Sequence, residues 1–267
     1  MVNAENALSV QSKDHPDGWG VAYYIGDSPH LIKSDQSALD DRLFKRVSGI
    51  VSGQTVVAHI RKATQGQNSI LNTHPFQYGN WIFAHNGNIK NFLQVKESVQ
   101  EKIDPEIRRF ILGDTDSETL FLYLLSAIQK YYPLNLKSIP AQDLIKIVED
   151  AIEELLSLIG PIHERTKANP CDTYLSFILT NGSNMLTHQG GQELFYSTYK
   201  NKCADRDTCI SYAKECESES LSGQVNHLIF SSEPLQGENI WLPMNFREII
   251  SIDGSMKLHR KNCSPGK

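Results

Sequence analysis

Hydrophobic and polar positions alternate most clearly in two short runs that end in polar residues. Residues 55–58 (Thr-Val-Val-Ala) run into His59-Ile60-Arg61-Lys62-Ala63-Thr64, and 81–84 (Trp-Ile-Phe-Ala) run into His85-Asn86-Gly87-Asn88. Both read as strands with polar side chains at their ends. Helical periodicity is strongest at 116–131, where Leu120, Leu122, Leu124, Leu125 and Ile128 make a wide apolar stripe, and at 141–158, where Leu144, Ile147, Ile152 and Leu155 share a face. Helical spacing also runs through Ala4, Ala7, Leu8 and Val10 in 3–13, and through Leu39, Leu43, Val47 and Ile50 in 37–51. Further strands are predicted at 19–25, 30–33, 174–180, 185–188, 193–199, 225–231, 240–242 and 248–252. Asn181-Gly182 predicts a type I′ hairpin turn, since that dipeptide suits two positive-φ positions. Residues 200–223 are polar and read as a loop insertion. Strands and helices come in blocks, which predicts an α+β fold, and no linker-like stretch divides the chain, so residues 1–267 read as a single domain.

Composition narrows the function classes. Across 267 residues, 40% are hydrophobic and 21% charged, ordinary values for a soluble globular chain. A net charge of −5 argues against nucleic acid as a partner, which calls for a basic face. No apolar run approaches a membrane span, and no basic-then-apolar leader opens the chain. The five cysteines, an odd number, all follow residue 170, which favours reduced thiols and a cytoplasmic setting. Cys203, Cys209 and Cys216 do not form a Cys-x-x-Cys pair, and His59, His74 and His85 match no compact zinc motif, so no metal is expected.

The polar strand ends carry the candidate chemistry. An arginine at a buried strand end needs a partner, and the planar fork of Arg61 suits either a substrate carboxylate or a structural acid such as Asp116. Asn86-Gly87 reads on local grounds as a turn. Its functional reading is an oxyanion hole, in which the amide and the Gly87 N–H donate to a developing negative charge. Thr115 and Glu118 read as a capping box at the start of the strongest helix. That leaves one of Asp114 and Asp116 free to hold a substrate ammonium.

His59-Ile60-Arg61-Lys62-Ala63-Thr64-Gln65-Gly66, Asn72-Thr73-His74-Pro75-Phe76, Ala84-His85-Asn86-Gly87 and Asp114-Thr115-Asp116-Ser117-Glu118, in that order, resemble the class II glutamine amidotransferase domain. His15-Pro16-Asp17-Gly18-Trp19-Gly20 and Ser231-Ser232-Glu233-Pro234-Leu235 are similar to its stand-alone branch, which includes relatives acting on γ-glutamyl amides. The resemblance implies a four-layer αββα sandwich of the N-terminal-nucleophile type. It implies hydrolysis of a glutamine side-chain amide through a cysteine thioester, without cofactor or metal. Arg61 would grip the α-carboxylate and Asp116 the α-ammonium, Asn86 and Gly87 would form the oxyanion hole, and Thr64 and His74 would line the pocket. The partner implied is a small molecule, glutamine or a γ-glutamyl amide, with a separate subunit able to accept ammonia.

In that family the nucleophile is a cysteine exposed at residue one by methionine removal, its own α-amine serving as base. Here Val2 follows Met1, and Met1 stands sixteen residues before Asp17, where the family places a strand and most of a helix. The expectation is a fold lacking its first strand and no thioester chemistry in the chain as it stands. The alternative is a binding module for glutamine-like ligands without turnover.

Overall fold

The computed structural model describes residues 5–169 and 171–262. Its elements are α1 (Leu8–Gln11), β1 (Trp19–Ile25), β2 (Ser28–Ser34), α2 (Arg42–Ile50), β3 (Val56–Ile60), β4 (Phe76–Tyr78), β5 (Trp81–Asn88), α3 (Phe92–Glu101), α4 (Pro105–Arg108), α5 (Asp116–Gln129) and α6 (Ala141–Ile159). The second half adds β6 (Tyr174–Thr180), β7 (Met185–His188), β8 (Phe195–Ser197), β9 (Gly223–Gln224), β10 (Ile229–Ser231), β11 (Leu242–Pro243), β12 (Glu248–Ile252) and β13 (Lys257–Asn262). Among the described residues no helix is long and apolar enough to cross a membrane.

Four layers follow from which faces are apolar. Trp19 and Val21 of β1 and Ile60 of β3 bury one face against Phe44 and Val47 of α2, with Leu8 of α1 beside them. The opposite face of that sheet, ordered β2-β1-β3, sets Ala22, Tyr24 and Val57 against Ile82 and Ala84 of β5. β5 belongs to a seven-stranded sheet ordered β4-β5-β6-β7-β12-β13-β9. The far face of this second sheet carries Phe83, Phe177, Leu179 and Ile249 into the main core, closed by α3, α5 and α6. Phe83 stacks on Phe121 of α5 with ring centroids 5.3 Å apart. Each fully buried Leu, Ile or Phe here contributes roughly 1.5–3 kcal/mol, so this layer dominates stability. The mixed α/β sandwich matches the expected αββα arrangement.

A third sheet, ordered β10-β8-β11, has three strands. Among the described residues β3 pairs only with β1, and β10 only with β8, so each keeps one unpaired edge. A groove of about 270 Å³ lies between them, walled by Val56, Val57, Ile229 and Phe230 and floored by Ile178 and Met185. Asn6 ties the start of the chain to the loop after β10, its Nδ2 donating to the Pro234 carbonyl at 2.8 Å and its Oδ1 accepting from the Gln236 N–H at 3.0 Å.

Several local expectations change. Of the helix expected over 3–13, only Leu8–Gln11 is helical, and Asn3 and Ala4 lie outside the described residues. The helix expected over 37–51 starts at Arg42, because the Asp41 carboxylate accepts from the Leu43 N–H and caps it. Its buried face is Phe44 and Val47, while Leu43 and Ile50 are exposed. Asn181-Gly182 is not a two-residue turn. Thr180 pairs with Met185, so residues 181–184 form the loop, and Gly182 but not Asn181 has positive φ. Asn181 Oδ1 accepts from the Ser183 and Asn184 N–H groups, and this Asx-type turn sets the longer loop. His85–Asn88 continue β5 rather than follow it.

Candidate functional site

The first polar segment begins where β3 ends. Arg61 is 3% exposed and fixed at both backbone groups: its N–H donates to the Gly18 carbonyl at 2.8 Å, and its carbonyl accepts from the Asp17 N–H at 3.0 Å. The Asp17 carboxylate also accepts from the Ala63 N–H at 2.8 Å. The His-Pro-Asp-Gly turn therefore clamps the arginine loop. Gly20, next along, is needed for close approach: a Cβ there would lie 2.2 Å from the His74 carbonyl oxygen. The guanidinium donates to the Gln65 carbonyl at 2.9 Å and to Asn68 Oδ1 at 3.3 Å. Both acceptors are neutral, and among the described residues Arg61 makes no ion pair, so the structural pairing with Asp116 is absent. Asp17, Asp114 and Asp116 favour its charge at longer range, while burial opposes it.

Asp116 opens α5, 2% exposed. One carboxylate oxygen accepts from the Ile89 N–H at 2.6 Å and the other from the Ser117 N–H at 2.8 Å. Thr115 caps the helix by accepting from the Glu118 N–H at 3.2 Å. The reciprocal half of the expected capping box is redirected, since Glu118 accepts from the Gly113 and Leu112 N–H groups. Asp114 is held by Asn72, whose Nδ2 donates to it at 2.5 Å and whose Oδ1 accepts from the Asp114 N–H at 3.1 Å. Asn72 is buried and ties the loop after Gly66 to the start of α5, a role its local sequence did not announce.

Asn86 and Gly87 lie in β5, paired with Ser176 and Leu175 of β6, so the turn reading is overturned. The Leu175 N–H donates to the Gly190 carbonyl, away from β5. Gly87 and Leu175 are thus a non-hydrogen-bonded pair, and the Gly87 N–H points to the other edge of β5. Among the described residues β4 pairs with that edge only as far as Phe83. Asn86 sits on the face of β5 shared by Ala84 and Asn88, the face turned to the first sheet. Glycine at 87 is required, since a Cβ would lie 2.1 Å from both the Tyr174 carbonyl oxygen and His85 Nε2.

His59 and His74 come together, and His85 is fixed by hydrogen bonds of its own. His85 Nε2 lies 2.9 Å from the Tyr174 carbonyl, which can only accept, so Nε2 carries the proton and Nδ1 accepts from the Ser117 hydroxyl at 2.9 Å. The His59 and His74 rings lie with centroids 4.4 Å apart and planes tilted by 35°, and His74 also packs edge-on against Phe76. Neither ring nitrogen of His74, nor Nδ1 of His59, has a partner among the described residues. Burial holds His59 down to about 3 and His74 well below its ordinary value, so both are neutral. Lys33 donates to the Thr73 carbonyl at 2.8 Å, and burial lowers it to about 8. Among the described residues no group of three or more His, Cys, Asp or Glu is arranged to hold a metal ion. Thr64 is exposed in the loop after Arg61 and joins none of these contacts. The Gln65 side chain, donating to Asn88 Oδ1 and the Ile89 carbonyl, links Arg61, Asp116 and the end of β5 in one hydrogen-bonded frame, while His74 sits in a buried pair with His59 and Thr64 stays outside the frame.

The family model for class-II glutamine amidotransferases matches residues 6–263. A protein of Saccharomyces cerevisiae named "Probable glutamine amidotransferase" is 37% identical over 120 residues, 43% of this chain and 34% of its own length. A Haemophilus influenzae protein, provisionally named a glutamine amidotransferase, is 31% identical over 179 residues, 65% of this chain and 52% of its own. The chain therefore spans about half or less of the length of these relatives. Among solved structures, a glutamine aminotransferase class-II domain protein from Silicibacter pomeroyi superposes with a TM-score of 0.60 at 19% identity, covering 92% of each chain. The glutamine phosphoribosylpyrophosphate amidotransferase of Bacillus subtilis gives 0.54 at 14% identity, over 95% of this chain and 45% of its own, and shares the fold. On the extent of the family match, this chain belongs to the class-II glutamine amidotransferases.

Proposed function

We propose that the chain binds glutamine or a γ-glutamyl amide by its amino-acid head group and supplies the binding site and oxyanion donors for hydrolysis of the side-chain amide by a cysteine nucleophile. The observation that carries this reading is Arg61: a buried guanidinium with only neutral partners, on the same frame as the Asp116 carboxylate. A buried arginine of this kind suits a bidentate carboxylate, and the nearby aspartate suits an ammonium. The Asn86 amide and the Gly87 N–H then serve as oxyanion donors, while His74 and Thr64 are assigned to the wall of the side-chain pocket. Attack of a cysteine thiol on the amide carbon, with the thiol proton passing to the amide nitrogen, forms a tetrahedral oxyanion. Its collapse expels ammonia and leaves a γ-glutamyl thioester, which water cleaves to the free acid. Ammonia released here passes to solvent or to a partner subunit.

The described cysteines, Cys171, Cys203, Cys209 and Cys216, all lie outside β3, β5 and α5. We infer that the nucleophile belongs to an extended segment seated in the groove between β3 and β10. Two unpaired edges facing one apolar floor accept a strand better than any other occupant, because a strand satisfies both edges at once. β3 leads from this groove directly to Arg61, and Ile178 on its floor pairs with Ala84, two residues before Asn86. A strand ending there would bring its terminal residue beside the oxyanion donors.

The test is ammonia release from L-glutamine and from γ-glutamyl amides. The expected result is turnover when a cysteine-led apolar strand is joined upstream of the chain, and none when that cysteine is serine. Glutamine binding without turnover in either form would favour the binding-module reading.

A further inference from the structure

One side chain joins the two halves of the proposed head-group site. Gln65 Nε2 donates to Asn88 Oδ1 and to the Ile89 carbonyl, both at 2.8 Å. The Ile89 carbonyl can only accept, so the orientation of the Gln65 amide is fixed by its surroundings. The orientation of Asn88 follows from it: Oδ1 faces Gln65, and Nδ2 faces the carbonyls of Cys171 and Asp172 at 3.5 and 3.4 Å. The backbone carbonyl of Gln65 accepts from Arg61 Nη2 at 2.9 Å. On the far side, the Ile89 N–H donates to Asp116 at 2.6 Å. Arg61, Gln65, Ile89 and Asp116 therefore form one continuous chain of hydrogen bonds. It crosses from the loop after β3 to the end of β5 and on to the start of α5.

We propose that Gln65 is a positioning residue that sets the separation of Arg61 and Asp116, and so selects ligands carrying both an α-carboxylate and an α-ammonium. This rests on the head-group reading given above. Gly66, with φ +74, lets the loop turn back immediately after Gln65. A Cβ there would lie 2.7 Å from Asp114 Oδ1, so the turn is packed directly against the α5 side of the site. Among the described residues the Gln65 side chain donates to Asn88 and Ile89 at the end of β5. Losing it frees the arginine loop from that strand while leaving the Arg61 backbone clamped by Asp17 and Gly18.

The test is calorimetric titration of the chain and of Gln65→Leu with L-glutamine and with glutaramate, which keeps the carboxylate and amide but lacks the ammonium. Gln65→Met, closer in length to glutamine, is the second variant should Gln65→Leu fail to fold. The expected result is a 10- to 100-fold weakening for L-glutamine and less than 3-fold for glutaramate, so the preference between the two ligands collapses. A general structural defect would weaken both alike. Gln65 variants that keep the parent preference overturn the proposal and leave the head-group reading intact. A parent chain that binds neither ligand overturns both.

Discussion

Asn86 and Gly87 show how little a local sequence says about a residue's task. Asn-Gly after an apolar run reads as a turn, and nothing in the dipeptide signals a continuing strand. What removes the turn is tertiary: β6 supplies a full antiparallel partner across His85–Asn88. The glycine serves close approach rather than a left-handed conformation, since the His85–Tyr174 hydrogen bond crosses the space a Cβ would fill. Gly87→Ala should therefore lower stability by about 1–3 kcal/mol and break that bond, checked by urea denaturation. Asn86→Ala leaves the strand intact. In the form that turns over, it should lower kcat about 10²-fold with little change in KM, measured by ammonia release. Unchanged turnover would remove Asn86 from the oxyanion role. Arg61 was legible as a buried arginine needing a partner, but the neutral acceptors that hold it belong to its own loop and could not be read from spacing.

At the scale of elements, periodicity revealed α5 and α6 because each buries a broad face against the seven-stranded sheet. It did not reveal α3 and α4, in the segment from 92 to 108, which had no prediction. α3 buries only Phe92 and Val99, too few positions for a period, and α4 is a single turn begun by Asp104 and Pro105. β13 was also missed. Lys257–Asn262 is mostly polar because it lies near the sheet edge, where Arg260 reaches the buried Glu248 of β12 at 2.7 Å and Lys261 pairs with Glu149. The start of α5 matters most for the site, because it places Asp116. Thr115→Ala removes the cap on Glu118 N–H and should cost about 1 kcal/mol, read from the thermal midpoint. It should also weaken glutamine binding, since the same turn aims the Asp116 carboxylate.

Across the whole molecule, four imidazoles, His59, His74, His85 and His188, are buried. Burial depresses His59 to about 3 and His188 to about 4, and lowers His74 and His85 as well. In the unfolded chain each titrates near its ordinary value of about 6.5. As pH falls below 6.5 the unfolded state takes up protons that the folded state refuses. Stability is thus full above that pH and is lost progressively toward the folded values. Each such histidine contributes a slope of up to about 1.4 kcal/mol per pH unit across its window. Urea midpoints should fall steadily from pH 6.5 to 4.5, and a flat profile would contradict neutral burial. The four-layer sandwich itself was foreseen through motifs rather than through element boundaries, because an α+β block pattern alone fits many folds. The groove between β3 and β10 has no local sequence signal, since its lining comes from segments far apart in the chain.

The central claim is that Arg61 and Asp116 hold an amino-acid head group. Calorimetric titration of L-glutamine into the parent chain and into Arg61→Ala tests it most directly. The account predicts saturable, one-site binding in the parent and at least a 100-fold loss in Arg61→Ala, whose fold persists by circular dichroism. Absence of binding in the parent, or equal affinity in the two, would contradict it.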